Sequence, residues 1–392
     1  MYQNFKRLLF KLDAEKAHNL TELFLRKIAP LPLVQDLLAW QFVRYDKRLT
    51  NTLDSLCFPN PVGISAGFDK NATMIKGLSA LGFGFVEVGT ITQAPQSGNP
   101  KPRLFRFPQA HSLQNMMGFN NAGVSKIAKH LQQCYPFSIP IGANIGKNKI
   151  IAQSDSLQNY ENTLKELLNL ADYFVFNISS PNTPKLRDLQ NKSFVASLFK
   201  MACQHTQKPV FLKISPDMHT DDMLEVIESA IKHGCRGIIA TNTSIDYSLL
   251  QGAKDQGGIS GEALKERSRE VFASIAKEFF SKTLLISSGG IDNANEAYER
   301  IKMGASLVQI YTGLIYQGPS LLKRINEGII ENLEADGFHH ISEAIGVNHT
   351  KKSKNDGEIQ VAQSSESQTT QSPKSKRPKT PTKRIKADEA DI

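Results

Sequence analysis

An α/β fold, a closed (β/α)8 TIM barrel with an N-terminal amphipathic helical extension and a disordered C-terminal tail, is what this sequence predicts. Three observations predict it. Short apolar runs recur eight times within residues 51–340, each ending in Gly, Asn, Ser or Thr. Helix-like stretches such as DSLQNYENTLKELLNL and TDDMLEVIESAIKHG lie between most of them. Both ends of the chain break this rhythm. Runs that are apolar on both faces fit strands of a parallel sheet covered by helices. Eight of them over about 250 residues match a closed barrel better than an open sheet. The expected parts are residues 1–45, 46–340 and 346–392.

The first part reads as helices. NFKRLLFKL places Phe5, Leu8, Leu9 and Leu12 on one face. Asp13 is an expected N-cap for AEKAHNLTELFLRKI, whose apolar face runs through Ala17, Leu20, Phe24 and Ile28. LPLVQDLLAWQF is a third short segment with the only Trp, Trp40. Basic amphipathic helices of this kind either lie at a bilayer interface or pack on the body of the protein.

The barrel runs are PVGISAG, FGFVEVGT, IPIGANIG, YFVFNISS, PVFLKIS, GIIATNT, LLISSGG and LVQIYTG. Asp221 is expected to cap the helix after the fifth run, and His233-Gly234 to end it. The third part is rich in Ser, Thr, Gln, Lys and Pro without apolar periodicity, which predicts disorder.

Net charge is +9, with 40% hydrophobic and 22% charged residues. The excess sits at the ends: nine Lys/Arg against five Asp/Glu in residues 1–50, and ten against six in 346–392. A near-neutral middle argues against a nucleic-acid-binding core. Cys57, Cys134, Cys203 and Cys235 are irregularly spaced without a CxxC pair, which argues against a disulfide framework or a zinc site. The N-terminal stretch is not expected to act as a secretory signal, and no run of about 20 apolar residues that would span a bilayer is read in the sequence.

In such a barrel the active site lies at the C-terminal ends of the strands. Those ends carry AGFDK, Thr90, Asn144, Asn177, Lys213, Thr241-Asn242-Thr243, SSGG and YTG. Backbone N–H groups of the last two match the usual phosphate site of a barrel. Lys213, deep in the mouth, needs an anionic partner, either a phosphate or a reduced flavin ring. On residues alone, a flavin-free barrel using Lys70 or Lys213 as a Schiff-base or phosphate-binding lysine stays open. So does a non-catalytic protein that binds through its basic tail.

The order AGFDK, VEVGT, KPRLFR, NMMGFNN, GANIGKNK, NISSPNTP, LKISPD, ATNTS, GGISG, SSGGI, GASLVQIYTG resembles the membrane-associated, quinone-dependent (class 2) dihydroorotate dehydrogenases. The likeness covers roughly residues 1–335, LDAEKAHNLT included. It implies one FMN per chain, oxidation of dihydroorotate to orotate in pyrimidine synthesis, and transfer of electrons to a membrane quinone. It implies Ser180 as catalytic base, with Thr183 as a relay partner. Substrate contacts would come from Lys70, Asn115, Met116, Met117, Gly118, Phe119, Asn177, Asn182, Asn242 and Thr243. Flavin contacts would come from Ala66, Gly67, Phe68, Asp69, Lys70, Thr90, Asn144, Asn177, Lys213, Thr241, Gly261, Gly290, Tyr311 and Thr312. His18 and Arg103 would belong to a quinone tunnel. Met116 departs from the pattern, since many relatives carry Arg there. The N-terminal helices would sit on the cytoplasmic face of an inner membrane. The expected protein is a monomer that needs no nucleic acid and no metal.

Overall fold

The structure, a computed structural model, describes residues 2–349. Eight parallel strands pair in chain order and close: β1 Val62–Ile64, β2 Phe85–Ile91, β3 Ile141–Ile145, β4 Tyr173–Asn177, β5 Val210–Lys213, β6 Gly237–Ala240, β7 Leu284–Ser288 and β8 Leu307–Ile310. Each of the eight apolar runs overlaps one of these strands. Every strand is buried along nearly its whole length, because helices cover the outside and side chains fill the inside. At the N-terminal ends of the strands Phe85, Tyr173, Phe211 and Leu307 form one cluster with Phe58. Phe58 comes from the hairpin Asn51–Leu53/Leu56–Phe58, which closes that end of the barrel.

Helix α1 spans Tyr2–Leu9, α2 Ala14–Lys27 and α3 Pro32–Phe42. Asp13 caps α2, its carboxylate accepting from the backbone of Glu15 and Lys16. The three helices leave apolar side chains in the open: Phe5, Leu8, Leu20, Leu23, Phe24, Ile28 and Leu37 are exposed, with Leu33 at 86% and Trp40 at 77%. The expected face of α2 is therefore buried only at Ala17. No helix among the described residues is long and apolar enough to cross a membrane.

Two expectations are corrected. His219 occupies the N-cap position of the helix Thr220–Lys232 without a side-chain capping bond, and Asp221 stands inside the first turn. There its charge lies near the positive end of the helix dipole. His233 and Gly234 (φ +103°) do end this helix. The expected tail boundary at 346 is early, because Gly346 donates its N–H to Ile301 O at 3.0 Å and His349 stacks on Phe280 with ring centroids 5.0 Å apart. The rest of the predicted tail, residues 350–392, lies outside the described residues.

A three-stranded antiparallel sheet, Leu104–Phe107, Ser112–Asn115 and Gly258–Gly261, was not foreseen. Its strands are four residues each and mix polar with apolar positions. They come from the connections after β2 and β6. The pairing of Asn115 with Gly258 brings these two insertions together over the mouth of the barrel.

The turn after β7 is fixed from behind by Arg300, which is fully buried. Its guanidinium donates to Glu296 Oε1 at 2.7 Å, Ser287 Oγ at 3.2 Å, Lys265 O at 3.0 Å and Gly289 O at 3.4 Å. Without Arg300, Glu296 keeps Arg269 as its cation, but the buried acceptors of Ser287, Lys265 and Gly289 lose a donor. Arg300→Ala is expected to destabilise the protein by about 1–3 kcal/mol, the cost of leaving buried polar groups unsatisfied. A chemical denaturation midpoint unchanged from wild type would contradict this.

Candidate active site

Glu87, in the middle of β2, is fully buried inside the barrel. Its carboxylate accepts from Asn144 Nδ2 of β3 at 2.6 Å, from Gln309 Nε2 of β8 and from Lys213 Nζ of β5 at 3.4 Å. Lys213 also donates to Ser65 Oγ at 3.0 Å. The anionic partner that Lys213 required is therefore a protein carboxylate, and neither a phosphate nor a flavin is needed to explain its burial.

Above this floor the amides interlock. Asn144 Oδ1 accepts from Thr90 Oγ1 at 2.6 Å, and Asn177 Nδ2 donates to Thr90 Oγ1 at 3.0 Å. Asn177 Oδ1 accepts from Asn242 Nδ2 and from Ser179 Oγ, both at 3.2 Å. Across the mouth Asn182 Nδ2 donates to Asn115 Oδ1 at 3.0 Å. Ser180 Oγ is buried and accepts from Asn182 N at 3.3 Å. Thr183 Oγ1 is buried without a hydrogen-bond partner among the described residues.

Thr90, Asn115, Asn177, Ser180, Asn182, Lys213 and Asn242 line one cavity whose floor and rim are polar and whose remaining wall is apolar, while Glu87, Ser179 and Thr183 lie behind the lining residues. Of the residues expected at the site, Ala66, Gly67, Lys70, Thr90, Asn115, Met117, Gly118, Phe119, Asn177, Ser180, Asn182, Lys213, Thr241, Asn242, Thr243, Gly261, Gly290, Tyr311 and Thr312 line it. Asn144 lies beneath it in the Glu87 network. Asp69 is buried and accepts from the backbone of Asn71, Thr73 and Met74, so it shapes the loop after β1. Met116 is buried and is not among the lining residues, while its neighbour Met117 is.

A second cavity, about 900 Å³, is apolar and lies between the N-terminal helices and the barrel. Phe5, Phe24, Leu37, Phe68, Leu314 and Ile315 are among its walls. His18, Leu104, Leu113 and Tyr311 line both cavities. At this shared wall His18 Nε2 lies 3.0 Å from Lys70 Nζ. Arg103 does not line the apolar cavity. Its guanidinium is buried against Glu15, at 2.8 Å from Oε1, and donates to Ser97 O and Asn99 O. Arg106 lines that cavity instead, on the same strand face as Leu104.

Burial pushes Lys70 down to about 8, against the opposing pull of Glu22, Asp69 and Glu15. Burial, followed by the charge of Lys70, holds His18 well below its ordinary value.

Sequence reasoning missed Glu87, Arg187, Asp217 and Arg300. The signal for Glu87 was there: an acid inside FVEVGT, a strand otherwise without charge, needs a buried cation.

The family model described as dihydroorotate dehydrogenase matches residues 48–333. The chain belongs to the dihydroorotate dehydrogenase family. It is 55% identical over 346 residues to the dihydroorotate dehydrogenase (quinone) of a Nitratiruptor species, covering 88% of this chain and 99% of that protein. It is 51% identical, with the same coverage, to the one of Helicobacter acinonychis (strain Sheeba). Among solved structures, dihydroorotate dehydrogenase from Eimeria tenella in complex with ferulenol superposes with a TM-score of 0.74 at 33% identity, covering 83% of this chain and 99% of that one.

Lys70 gives a pH test. Between about 8 and the ordinary lysine value near ~10.4, Lys70 is neutral when folded and protonated when unfolded. The unfolded state then binds more protons, so stability conferred by this group rises with pH across that window. The difference in melting temperature between wild type and Lys70→Met should therefore move in favour of wild type from pH 8 to 10. A pH-independent difference would contradict the assignment.

Proposed function

We propose that this chain oxidises dihydroorotate to orotate in pyrimidine biosynthesis and delivers the electrons to a quinone, with Ser180 as base. The observation that carries this is the pair of cavities. One is polar and lined by amides, hydroxyls and two lysines, the other is apolar, and they share a wall. The relatives named dihydroorotate dehydrogenase (quinone) support the same reading.

The family is flavin-dependent, and the polar cavity fits FMN. At Gly261 (φ +94°) a Cβ would meet His111 O at 2.5 Å, and at Gly290 (φ +73°) it would meet Lys265 Cα at 2.4 Å, so the backbone lines the wall directly. Backbone around Gly289, Gly290 and Thr312 would hold the phosphate. Ala66, Gly67, Thr90, Asn177, Lys213 and Thr241 would hold the ring, with Asn144 supporting Thr90 and Asn177 from beneath. When bound, the flavin supplies the acceptor for the hydride from C6 and the one-electron steps to quinone.

The chain's own groups do the rest. Asn115, Asn177, Asn182 and Asn242 present donors and acceptors that match the edge of a uracil-like ring. Lys70 faces the substrate carboxylate as a cation below pH 8. Ser180 Oγ would take the C5 proton while the hydroxyl's own proton passes, by way of Thr183 and a water, out to solvent. A serine is a weak base at neutral pH, so burial and orientation must raise its effectiveness. The quinone would enter the apolar cavity, where His18, Thr21, Arg106 and Tyr311 are among the polar side chains able to meet its carbonyls. The exposed faces of α1, α2 and α3 rest on the cytoplasmic side of the inner membrane, and the protein acts as a peripheral monomer.

Ser180→Ala should keep its flavin and lose about 10²–10⁴-fold in the rate of anaerobic flavin bleaching by dihydroorotate. An unchanged rate would remove Ser180 from the mechanism. Leu33→Glu with Trp40→Glu should abolish sedimentation with lipid vesicles while leaving reduction of a water-soluble, short-chain quinone intact. Vesicle binding that survives the double change would place the membrane contact elsewhere.

A further inference from the structure

The serine-bearing loop after β4 is tied down by an ion pair outside the cavity. Arg187 sits in a short 3₁₀ turn, Arg187–Leu189, seven residues beyond Ser180. Its guanidinium spreads to three elements. Nε donates to Ser179 O at 3.0 Å, next to Ser180. Nη1 donates to Asp217 Oδ2 at 2.8 Å, in the loop after β5. Nη2 donates to Thr243 O at 3.1 Å, in the loop after β6. Asp217 completes the clasp from the other side. Its Oδ1 accepts from Ser244 Oγ at 2.5 Å and its Oδ2 from Ile245 N at 2.9 Å. The two side chains are only 20% and 14% exposed.

Neither Arg187 nor Asp217 lines the polar cavity, whereas Ser180, Asn242 and Thr243 do. The pair therefore touches the backbone of site residues without reaching a ligand. A planar guanidinium with donors in three directions fixes relative position in a way that a lysine, a point charge on a flexible stem, does not. We propose that Arg187 and Asp217 are positioning residues, which lock the loop carrying Ser180 onto the loop carrying Asn242 and Thr243. The pair sets the distance between the base and the ring-binding groups. A shift of about 1 Å between reacting groups costs roughly 10²-fold in rate. This inference rests on the proposed roles of Ser180 and Thr243.

The test uses the full-length, flavin-loaded protein and four variants: Arg187→Ala, Arg187→Lys, Asp217→Asn and the double change Arg187→Ala with Asp217→Ala. Two quantities are read. One is the limiting rate of anaerobic flavin bleaching at saturating dihydroorotate. The other is the dissociation constant of orotate, from its perturbation of the flavin spectrum. Arg187→Ala should retain flavin, lose about 10²-fold in limiting rate, and bind orotate more weakly by a smaller factor. Arg187→Lys should recover little of the loss. Guanidinium ion added to Arg187→Ala should restore part of the rate, and should restore none in Ser180→Ala. The double variant should be no worse than Arg187→Ala alone, because both changes break one unit.

If the rate falls only in proportion to lost flavin or folded protein, without guanidinium rescue, the pair is a structural staple and the proposal fails. An unchanged limiting rate also overturns it. Should Arg187→Ala not fold, the isosteric Asp217→Asn carries the same comparison. Wild-type flavin that dihydroorotate does not bleach would instead sink the functional reading itself.

Discussion

The active end of this barrel depends on one buried carboxylate. Glu87 can only accept hydrogen bonds, so Asn144 must turn its amide nitrogen toward it and its oxygen toward Thr90 and Asn177. Thr90 donates its proton to Asn144 and is left to accept from Asn177. Asn177 then presents its oxygen to Ser179 and Asn242. A single charge in β2 thus sets the polarity of a chain of amides that crosses to the end of β6. The same carboxylate offsets the charge of Lys213, which sits in the floor of the cavity with 4% of its surface exposed. Desolvating both ions is costly, and the hydrogen bonds that Asn144 and Gln309 donate to Glu87 and that Ser65 accepts from Lys213 are what make the pair tolerable.

Much of this was legible in the sequence. Strands buried on both faces lack alternation, so the eight runs stood out, and their polar ends marked the mouth. The turn proposed to hold a phosphate showed itself through Gly289 and Gly290, whose positive φ values favour glycine. What stayed hidden was pairing at long range. Lys213 announced the need for an anion, but Glu87 is 126 positions away, and only the closed barrel brings them together. Arg187 in NTPKLRDLQ reads as an ordinary loop charge until its three partners are seen. The rim sheet escaped because strands of four residues with mixed polarity carry too little pattern to detect. Arg103 and Arg106 share the motif KPRLFR, and strand alternation decided which one reaches the apolar cavity.

The two cavities divide the chemistry by solvent. The polar one takes its character from backbone and amides at rigid strand ends. The apolar one is built largely from helices that contribute little to the barrel core, with Leu25 and Ala17 as their buried anchors. His18 and Lys70 stand where these environments meet, and both lose affinity for protons there.

Phe5, Phe24 and Leu37 line the apolar cavity and are also exposed on the outside of the helices. A lipid or detergent phase that covered those helices would therefore adjoin the walls of the cavity. A greasy inhibitor would meet its site from that phase, at the concentration it reaches there and not in bulk water. Its measured potency would then vary with the amount of detergent or lipid in the assay, through dilution at the surface. Rankings of compounds with different partition coefficients are comparable only at a fixed amphiphile content.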